Sequence, residues 1–241
     1  MDSFPYDHLV IDNFFPIDKA KKLSQEFPEY DSGLWYQYKN SLENKKSSNN
    51  WWDFPPETYK TFCFLNSCEF LNTLREKTGI QKLYPDIGLH GGGWHIHGRG
   101  GKLNIHLDYS IHPKSGLQRK LNLIVYLTEE WESEWGGGLE LWSHNSDKKL
   151  PLRREKTIHN VFNRAILFDT TQNSWHGLPQ PLSCPEGVYR KSLAVYYMTD
   201  PPDQVDPRQR ALYAPTEEQI NDKEVLDFIQ QRVLWKGKPK L

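Results

Sequence analysis

The sequence predicts a mainly β fold with flanking helices. Several runs of alternating apolar residues follow one another through turns. They cover residues 102–110, 119–128, 137–142, 164–169 and 191–199. Amphipathic helical patterns are confined to the two ends of the chain. Successive strands with few helices between them are typical of an antiparallel β-sandwich or barrel. We therefore expect the helices to pack outside a β core.

The N-terminal part predicts a short strand followed by helices. HLVIDNFFP (8–16) runs from apolar residues into a turn, and residues 17–28 place a set of apolar side chains on one helical face until Pro28 ends the pattern. Residues 58–80 are also mostly helical in pattern, with Gly79 near the end. These segments are the helices expected to cover the sheet.

Two segments of this part predict irregular structure. Residues 39–50, KNSLENKKSSNN, are polar and predict a mobile loop, and HGGGWHIHGRGG (90–101) predicts a glycine-rich bend. We expect a single domain over residues 1–241. Its parts would be a helical N-terminal part at about 1–89, a β core at about 90–200 and a helical C-terminal tail at about 201–241, with a terminal helix at 216–234.

Composition excludes several classes of protein. The 241 residues carry 30 basic and 31 acidic side chains, a net charge of −1, so neither nucleic acid nor an anionic membrane is an expected partner. Three cysteines do not suggest a disulfide framework and favour a reducing compartment. No apolar run has the length of a membrane span, and no signal peptide is apparent. We expect a cytoplasmic protein, and make no prediction of its oligomeric state.

The motif NIHLDY (104–109) predicts a metal site. On a strand, residues two apart point to the same face, so His106 and Asp108 would project together. His176, which follows the strand at 164–169 in NSWHGLP, is the best third candidate. Two histidines and one carboxylate form the facial triad of non-haem iron oxygenases, and they also serve in catalytic zinc sites.

Arg190 and Ser192 favour the iron alternative. They open the strand YRKSLAVYYM and lie two residues apart, so they would face the same way. A guanidinium with a hydroxyl beside it suits a carboxylate inside a barrel. A dicarboxylate cosubstrate needs such an anchor, whereas a zinc hydrolase has no obvious use for one.

These residues together resemble a known family. HLD, then GGGLELW, then WHG, then Arg-x-Ser, spread over residues 90–199, are similar in order and spacing to the 2-oxoglutarate- and iron(II)-dependent oxygenases, in their prolyl-hydroxylase-like branch. The resemblance implies a double-stranded β-helix, also called a jelly roll. It implies hydroxylation with iron(II), 2-oxoglutarate and O2, with ascorbate as a supporting reductant. The LSCPEG segment (182–187) lengthens the gap between the distal histidine and Arg190 relative to the oxygen-sensing members.

The resemblance also implies roles for single residues. His106, Asp108 and His176 would be the iron ligands, and Arg190 would pair with the C5 carboxylate of 2-oxoglutarate. The residues implied to assist at the cosubstrate are Tyr126, at that same carboxylate, Ser192, and His97, near the keto-acid end. Because halogenating relatives lack the carboxylate that Asp108 provides, hydroxylation is the expected outcome.

Other residues have two interpretations. Trp94 is read as a loop residue with a possible contact to substrate, and Arg119 as either a substrate contact or a solvated strand start. His95 and His97 form a same-face pair that is read mainly as solvated histidines of a loop, and secondarily as a second metal site. Residues read as surface histidines are His112, His144 and His159.

The substrate favoured by the resemblance is a prolyl residue of a protein or peptide. A small-molecule tailoring hydroxylase, acting on a saccharide, an amino acid or a natural product, is the alternative, because fold does not fix substrate. A closed small pocket would favour it, and an open groove lined by Trp94 and Arg119 would favour a peptide. A non-catalytic binding or sensor protein would be favoured by loss of a triad residue, and a zinc hydrolase would not need Arg190.

Overall fold

The computed structural model describes residues 2–234 of the chain. Its α-helices are α1 (Ile17–Gln25), α2 (Pro56–Leu65), α3 (Cys68–Thr78) and α4 (Lys223–Leu234). Its strands are β1 (His8–Ile11), β2 (Tyr36–Lys39), β3 (Glu43–Ser48), β4 (Tyr84–Pro85), β5 (Gly93–His97), β6 (Lys102–Leu107), β7 (Gln118–Tyr126), β8 (Leu139–Asn145), β9 (Leu150–Ile158), β10 (Ala165–Asp169), β11 (Trp175–Leu178), β12 (Arg190–Thr199) and β13 (Leu212–Tyr213).

The strands form a jelly roll, as the sequence and the resemblance predicted. Their order is β1-β10-β7-β12-β5-β3-β6-β11-β8-β9, and the neighbouring strands pair in antiparallel fashion. One half of the sheet consists of β1, β10, β7, β12 and β5, and the other half consists of β6, β11, β8 and β9. Strand β3 joins the two halves, and this closure leaves a cavity between them.

The N-terminal helices cover the outer face of the first half. Leu123 of β7 and Val195 of β12 share a buried cluster with Leu23 of α1, Phe62 of α2 and Leu71 of α3. Alternate residues of β7 point inwards, where Tyr126 packs with Leu139 and Phe168 in a separate cluster. The alternation predicted for residues 119–128 is therefore confirmed, and it gives the strand two different faces.

The helical segment predicted at 58–80 is divided into two helices. The Ser67 hydroxyl accepts a hydrogen bond from the Phe70 amide and starts α3. Gly79 ends it in a left-handed conformation (φ 74°), with its amide donating to the Arg75 carbonyl. The predicted end of this segment at Gly79 is confirmed.

The mobile loop predicted at residues 39–50 was wrong. Half of it is β3, which pairs with β5 through Lys46 opposite Ile96 and with β6 through Glu43 opposite Leu103. The segment is polar because several of its side chains, including Glu43 and Lys45, line the cavity instead of a hydrophobic core. The N-terminal part therefore contributes strands as well as helices.

Within residues 2–234, no helix combines the length and apolar character that a membrane crossing requires.

Candidate active site

Three side chains converge at the inner end of β6. His106 lies on this strand and Asp108 directly follows it, so both point into the cavity as the two-residue spacing predicted. His176 lies on β11, directly opposite His106 in the strand pairing. The Nε2 atoms of His106 and His176 are each 3.8 Å from a different oxygen of Asp108. Ligand atoms of all three residues lie within 4.8 Å of one another, which suits a single metal ion.

Backbone carbonyls orient both imidazoles. The Nδ1 atom of His106 lies 2.9 Å from the Asn104 carbonyl oxygen, and that of His176 lies 2.8 Å from the Ser174 carbonyl oxygen. With Nδ1 donating to a carbonyl, Nε2 keeps its lone pair and faces the carboxylate. The hydrogen bonds thus select the tautomer that can bind a metal.

Burial sets the protonation states that a cation needs. It lowers the pKa of His106 to about 3, with the nearby His176 adding to the effect. Burial likewise lowers the pKa of His176. Burial alone would raise the pKa of Asp108, but the charge of Arg119 and then the two histidines bring it below its ordinary value. Two neutral imidazoles and one carboxylate are therefore present at neutral pH.

Arg119 holds the carboxylate from the side. Its Nη1 atom lies 3.1 Å from Asp108 Oδ1, and its Nη2 donates to the His90 carbonyl oxygen at 2.7 Å. The guanidinium carbon lies 3.3 Å from the ring centroids of both Tyr109 and Tyr196. Arg119 is 2% exposed, so the expectation of a solvated strand start was wrong.

A second polar group surrounds Arg190 at the start of β12. Arg190 is buried, and its Nε donates to the Gly137 carbonyl oxygen at 2.7 Å. Gly137 has a φ of 75°, and a Cβ there would lie 3.0 Å from Arg190 Cδ, so glycine permits this contact. No carboxylate among residues 2–234 forms an ion pair with Arg190 within 4.0 Å. Its terminal nitrogens are available to an anion.

The residues implied to assist Arg190 lie beside it. His97 is directly opposite Arg190 in the strand pairing, and Ser192 is opposite Tyr126. The Tyr126 ring centroid lies 4.9 Å from the guanidinium carbon. The Tyr126 hydroxyl and both ring nitrogens of His97 are buried without a hydrogen-bond partner. Such groups are costly unless a ligand satisfies them.

Strand β12 connects the two groups. Alternate residues of a strand face one side, and Arg190, Ser192, Ala194 and Tyr196 all line the cavity. Tyr196 contacts Arg119, which pairs with Asp108, so the strand leads from the anion-binding group to the histidine–carboxylate group. The cavity has a volume of about 1130 Å³.

Other sequence interpretations are corrected by the structure. Trp94 is 0% exposed in the core on β5, where its ring packs against Phe27 and Phe54. It does not line the cavity. The prediction that Trp94 lies on a loop was wrong, because the glycines before it were taken for a bend and not for the start of a strand. His95 is half-buried and lines the cavity beside His97, so neither is a solvated loop residue.

The three histidines expected at the surface differ in their exposure. His112 is buried, with its Nε2 3.6 Å from Asp86 Oδ1, so its surface assignment was wrong. His144 is half-buried, and its Nδ1 accepts a hydrogen bond from the Trp175 indole at 3.0 Å. His159 is exposed, as predicted.

Several residues of the site were not singled out from sequence. Asn122 of β7 places its amide nitrogen 3.4 Å from Asp108 Oδ2. Tyr213 of β13 stacks on His106, with ring centroids 5.1 Å apart. Lys45 of β3 also lines the cavity. Residues 43–48 are polar throughout, so no alternation marked Lys45, and nothing in the sequence marked Tyr213.

Comparisons with known proteins agree with this geometry. The family model described as the 2OG-Fe(II) oxygenase superfamily matches residues 92–198, the segment that contains the histidine–carboxylate group and Arg190. No match to the chain was found among curated proteins.

Solved structures share the fold at low identity. A prolyl-4-hydroxylase from Pseudomonas putida is 14% identical, with a TM-score of 0.52 over 81% of this chain and 93% of the other. A prolyl hydroxylase from Trichoplax adhaerens, in complex with a hypoxia inducible factor peptide, is 16% identical, with a TM-score of 0.51 over 80% and 83%. HygX from Streptomyces hygroscopicus, with nickel, 2-oxoglutarate and hygromycin B bound, is 14% identical, with a TM-score of 0.50 over 80% and 82%.

The family match and the jelly-roll fold lead to one conclusion. Residues 92–198 match the 2OG-Fe(II) oxygenase superfamily and the chain has a prolyl-hydroxylase-like fold, which together support a 2-oxoglutarate-dependent oxygenase whose cofactors are iron(II) and 2-oxoglutarate.

Proposed function

We propose that this chain hydroxylates an unactivated C–H bond, with His106, Asp108 and His176 as the iron ligands. The convergence of these three side chains within 4.8 Å is the observation that carries the proposal. Iron(II), with 2-oxoglutarate and O2, supplies the oxidising power for insertion of oxygen into the C–H bond. The carboxylate of Asp108 supports hydroxylation over halogenation, because it would supply a ligand to the iron in the place that a halide would need.

In this proposal Arg190 binds the far carboxylate of 2-oxoglutarate. Its Nε is already occupied by Gly137, so its terminal nitrogens are left to donate to the carboxylate. The Tyr126 hydroxyl and a ring nitrogen of His97 would satisfy their unmet hydrogen bonds on the same group. His97 therefore acts at this carboxylate, which differs from the keto-acid end implied by the resemblance. Ile124 and Leu139 line the cavity with apolar surface and help to exclude water.

The substrate is a separate question. A prolyl residue of a protein or peptide is the first candidate, supported by the resemblance and by the prolyl hydroxylases that share the fold. A small molecule is the second candidate. An open groove lined by Trp94 would have supported a peptide, but Trp94 lies in the core, and β2, β3, β13 and α4 all contribute walls to the cavity. Its polar walls support a small polar substrate.

Anaerobic titration tests the reaction class. Iron(II) and then 2-oxoglutarate are added to the apoprotein, and the weak visible absorption band of the iron–keto acid chelate is followed. We expect the band in the wild type, a higher 2-oxoglutarate requirement in Arg190→Ala, and no productive iron binding in His106→Ala or Asp108→Ala. Arg153→Ala is the matched control, because Arg153 is exposed, lies outside the cavity lining and forms an ion pair with Glu155. Full activity in either triad variant would remove the ligand assignment. A band that needs no Arg190 would show that another cation anchors the cosubstrate.

The cytoplasmic location and the single-domain organisation expected from the sequence stay predictions.

A further inference from the structure

A second group of cations lines the cavity, separate from Arg190. Lys45 comes from β3, Arg210 from the segment before β13, and Arg232 from α4. We call these three residues the cationic wall. They come from three chain segments that are distant in sequence, so the fold itself brings their charges together at one cavity.

One buried carboxylate organises part of the wall. Glu43 is 1% exposed, and its oxygens lie 3.6 Å from Lys45 Nζ and 3.4 Å from Arg232 Nη2. Tyr213 donates its hydroxyl to the same carboxylate at 3.1 Å. A single negative charge between two positive ones leaves an excess of positive charge at Lys45 and Arg232. Burial and the neighbouring charge of Arg232 lower the pKa of Arg210.

The field of the wall reaches the proposed iron site. After burial, the charge of Lys45 is the next cause that lowers the pKa of His95, and it also contributes at His106 and Asp108. Tyr213 joins the two regions directly, since it stacks on His106 and binds Glu43. An anion bound at the wall would therefore lie in the same cavity as the triad.

The cosubstrate does not account for these charges. The far carboxylate of 2-oxoglutarate needs one cationic anchor, and Arg190 supplies it at the start of β12. Among the described residues 2–234, six cationic side chains line the cavity, Lys39, Lys45, Arg119, Arg190, Arg210 and Arg232, against three acidic ones, Glu43, Asp53 and Asp108. Asp108 is already held by Arg119. A cavity in which charges of one sign are in excess attracts ligands of the opposite charge.

Two tyrosines lie beside the cationic wall. Tyr36 and Tyr38 of β2 meet edge to face with centroids 4.6 Å apart, and Tyr36 is 66% exposed. Lys45 Nζ lies 5.1 Å from the centroid of the Tyr38 ring. Aromatic rings beside cationic side chains suit an organic molecule that carries an oxyanion.

We propose that the molecule hydroxylated by this chain is a small organic anion whose carboxylate or phosphate is bound by Lys45, Arg210 and Arg232. The proposal rests on the hydroxylase function proposed above. It names the substrate's charge and the residues that recognise it.

Calorimetric titration of the chain loaded with Mn(II) and saturating 2-oxoglutarate tests the proposal. The probes are phenyl phosphate and benzoate, with benzyl alcohol as the neutral analogue. We expect one of the anions to bind at least about tenfold more tightly than the alcohol, which is a difference of about 1.4 kcal/mol in binding free energy. Phosphate and carboxylate sources are distinguished by which anion binds more tightly. Rising salt should weaken the interaction.

Variants locate the binding. Arg232→Gln and Arg210→Gln should each weaken the bound anion about tenfold, whereas Arg232→Lys should weaken it less because the charge is kept. Arg153→Gln, which removes an exposed arginine outside the cavity, should have no effect. The 2-oxoglutarate affinity of each variant is measured in parallel. We expect it to stay within about twofold of the wild-type value, because Arg190, and not the cationic wall, is proposed to bind 2-oxoglutarate.

Three results would overturn the proposal. Equal binding of the anions and benzyl alcohol would remove the wall as an anion site. A loss of 2-oxoglutarate affinity in Arg232→Gln and Arg210→Gln would make the wall the cosubstrate anchor. Tighter binding of an acidic proline-containing peptide than of either small anion would move the substrate to the peptide class. If the wild type binds no 2-oxoglutarate, the proposed function itself has failed, and this outcome is distinct from the other three.

Discussion

The buried pair of Arg119 and Asp108 gives a prediction with a calculable magnitude. Their closest atoms are 3.1 Å apart, and the two side chains are 2% and 7% exposed. At an effective dielectric constant of about 20, the Coulomb attraction is about 5 kcal/mol. Arg119→Met keeps much of the side-chain volume between Tyr109 and Tyr196 but leaves the carboxylate unpaired. We expect the free energy of unfolding of the apoprotein to fall by about 3–5 kcal/mol.

Metal should offset part of this loss. In Arg119→Met, a divalent cation at the triad gives Asp108 a new counter-charge and no longer meets the repulsion of the guanidinium. A ligand that binds only the native state stabilises it according to its affinity. We therefore expect Mn(II) to raise the free energy of unfolding more in Arg119→Met than in the wild type, so that the difference between the two proteins narrows.

The assay is urea unfolding with and without Mn(II), in a double-mutant cycle with Asp108→Asn. We expect a coupling energy of at least about 2 kcal/mol between the two positions in the apoprotein. Arg153→Met is the control, because its exposed pair with Glu155 should contribute less than about 1 kcal/mol. A coupling below about 0.5 kcal/mol, or a difference that widens with Mn(II), would refute the reasoning.

Three further predictions concern the cosubstrate, the core and pH. Arg190→Ala should raise the Kd of 2-oxoglutarate about 30-fold or more, because losing one partner of a buried charge pair costs about 2–5 kcal/mol; calorimetry on the Mn(II)-loaded chain checks this, and an unchanged Kd would contradict it. Trp94→Ala should lower the free energy of unfolding by about 3–5 kcal/mol but leave 2-oxoglutarate affinity unchanged in the folded fraction. Burial lowers the pKa of His95 to about 3 and of His90 to about 4. Since an unfolded histidine binds a proton near pH 6.5, stability should be lost as the pH falls from about 6.5 towards 4, by up to about 1.4 kcal/mol per pH unit for each histidine. Urea unfolding of the apoprotein between pH 7 and 5 measures this, and a flat profile would count against the burial of both imidazoles.

Periodicity predicted the parts of the molecule that obey it. The two faces of β7 and the joint projection of His106 and Asp108 depend only on the alternation of a strand. Both are found in the structure. The spacing of Arg190 and Ser192 indicated a carboxylate anchor, and the family resemblance named 2-oxoglutarate as its ligand; this role of Arg190 stays a prediction.

Sequence reasoning failed where a strand faces the cavity instead of a hydrophobic core. The polar segment ENKKSS (43–48) was taken for a loop because polar residues normally indicate solvent, yet it is β3 and carries Lys45 towards the cavity. Trp94 was taken for an exposed loop residue because glycines precede it. Gly93 has a φ of 88°, and a Cβ there would lie 2.2 Å from the Ser48 carbonyl oxygen, so this glycine allows β5 to approach β3 closely. The glycines therefore belong to a tight strand contact.

The pairing of β13 with β6 has a consequence for how the protein is made. Tyr213 lies opposite His106 in this pairing, and Arg208 donates from Nη1 to the Asp108 carbonyl oxygen at 3.1 Å. These contacts join residues about one hundred positions apart, and contacts of such long range form late because closing the intervening loop is entropically costly. During synthesis on the ribosome, the triad residues emerge well before the segment that covers them. A nascent chain would thus pass through a stage in which the proposed iron-binding side chains are present but unshielded, and we expect stable metal binding only after β13 has paired with β6.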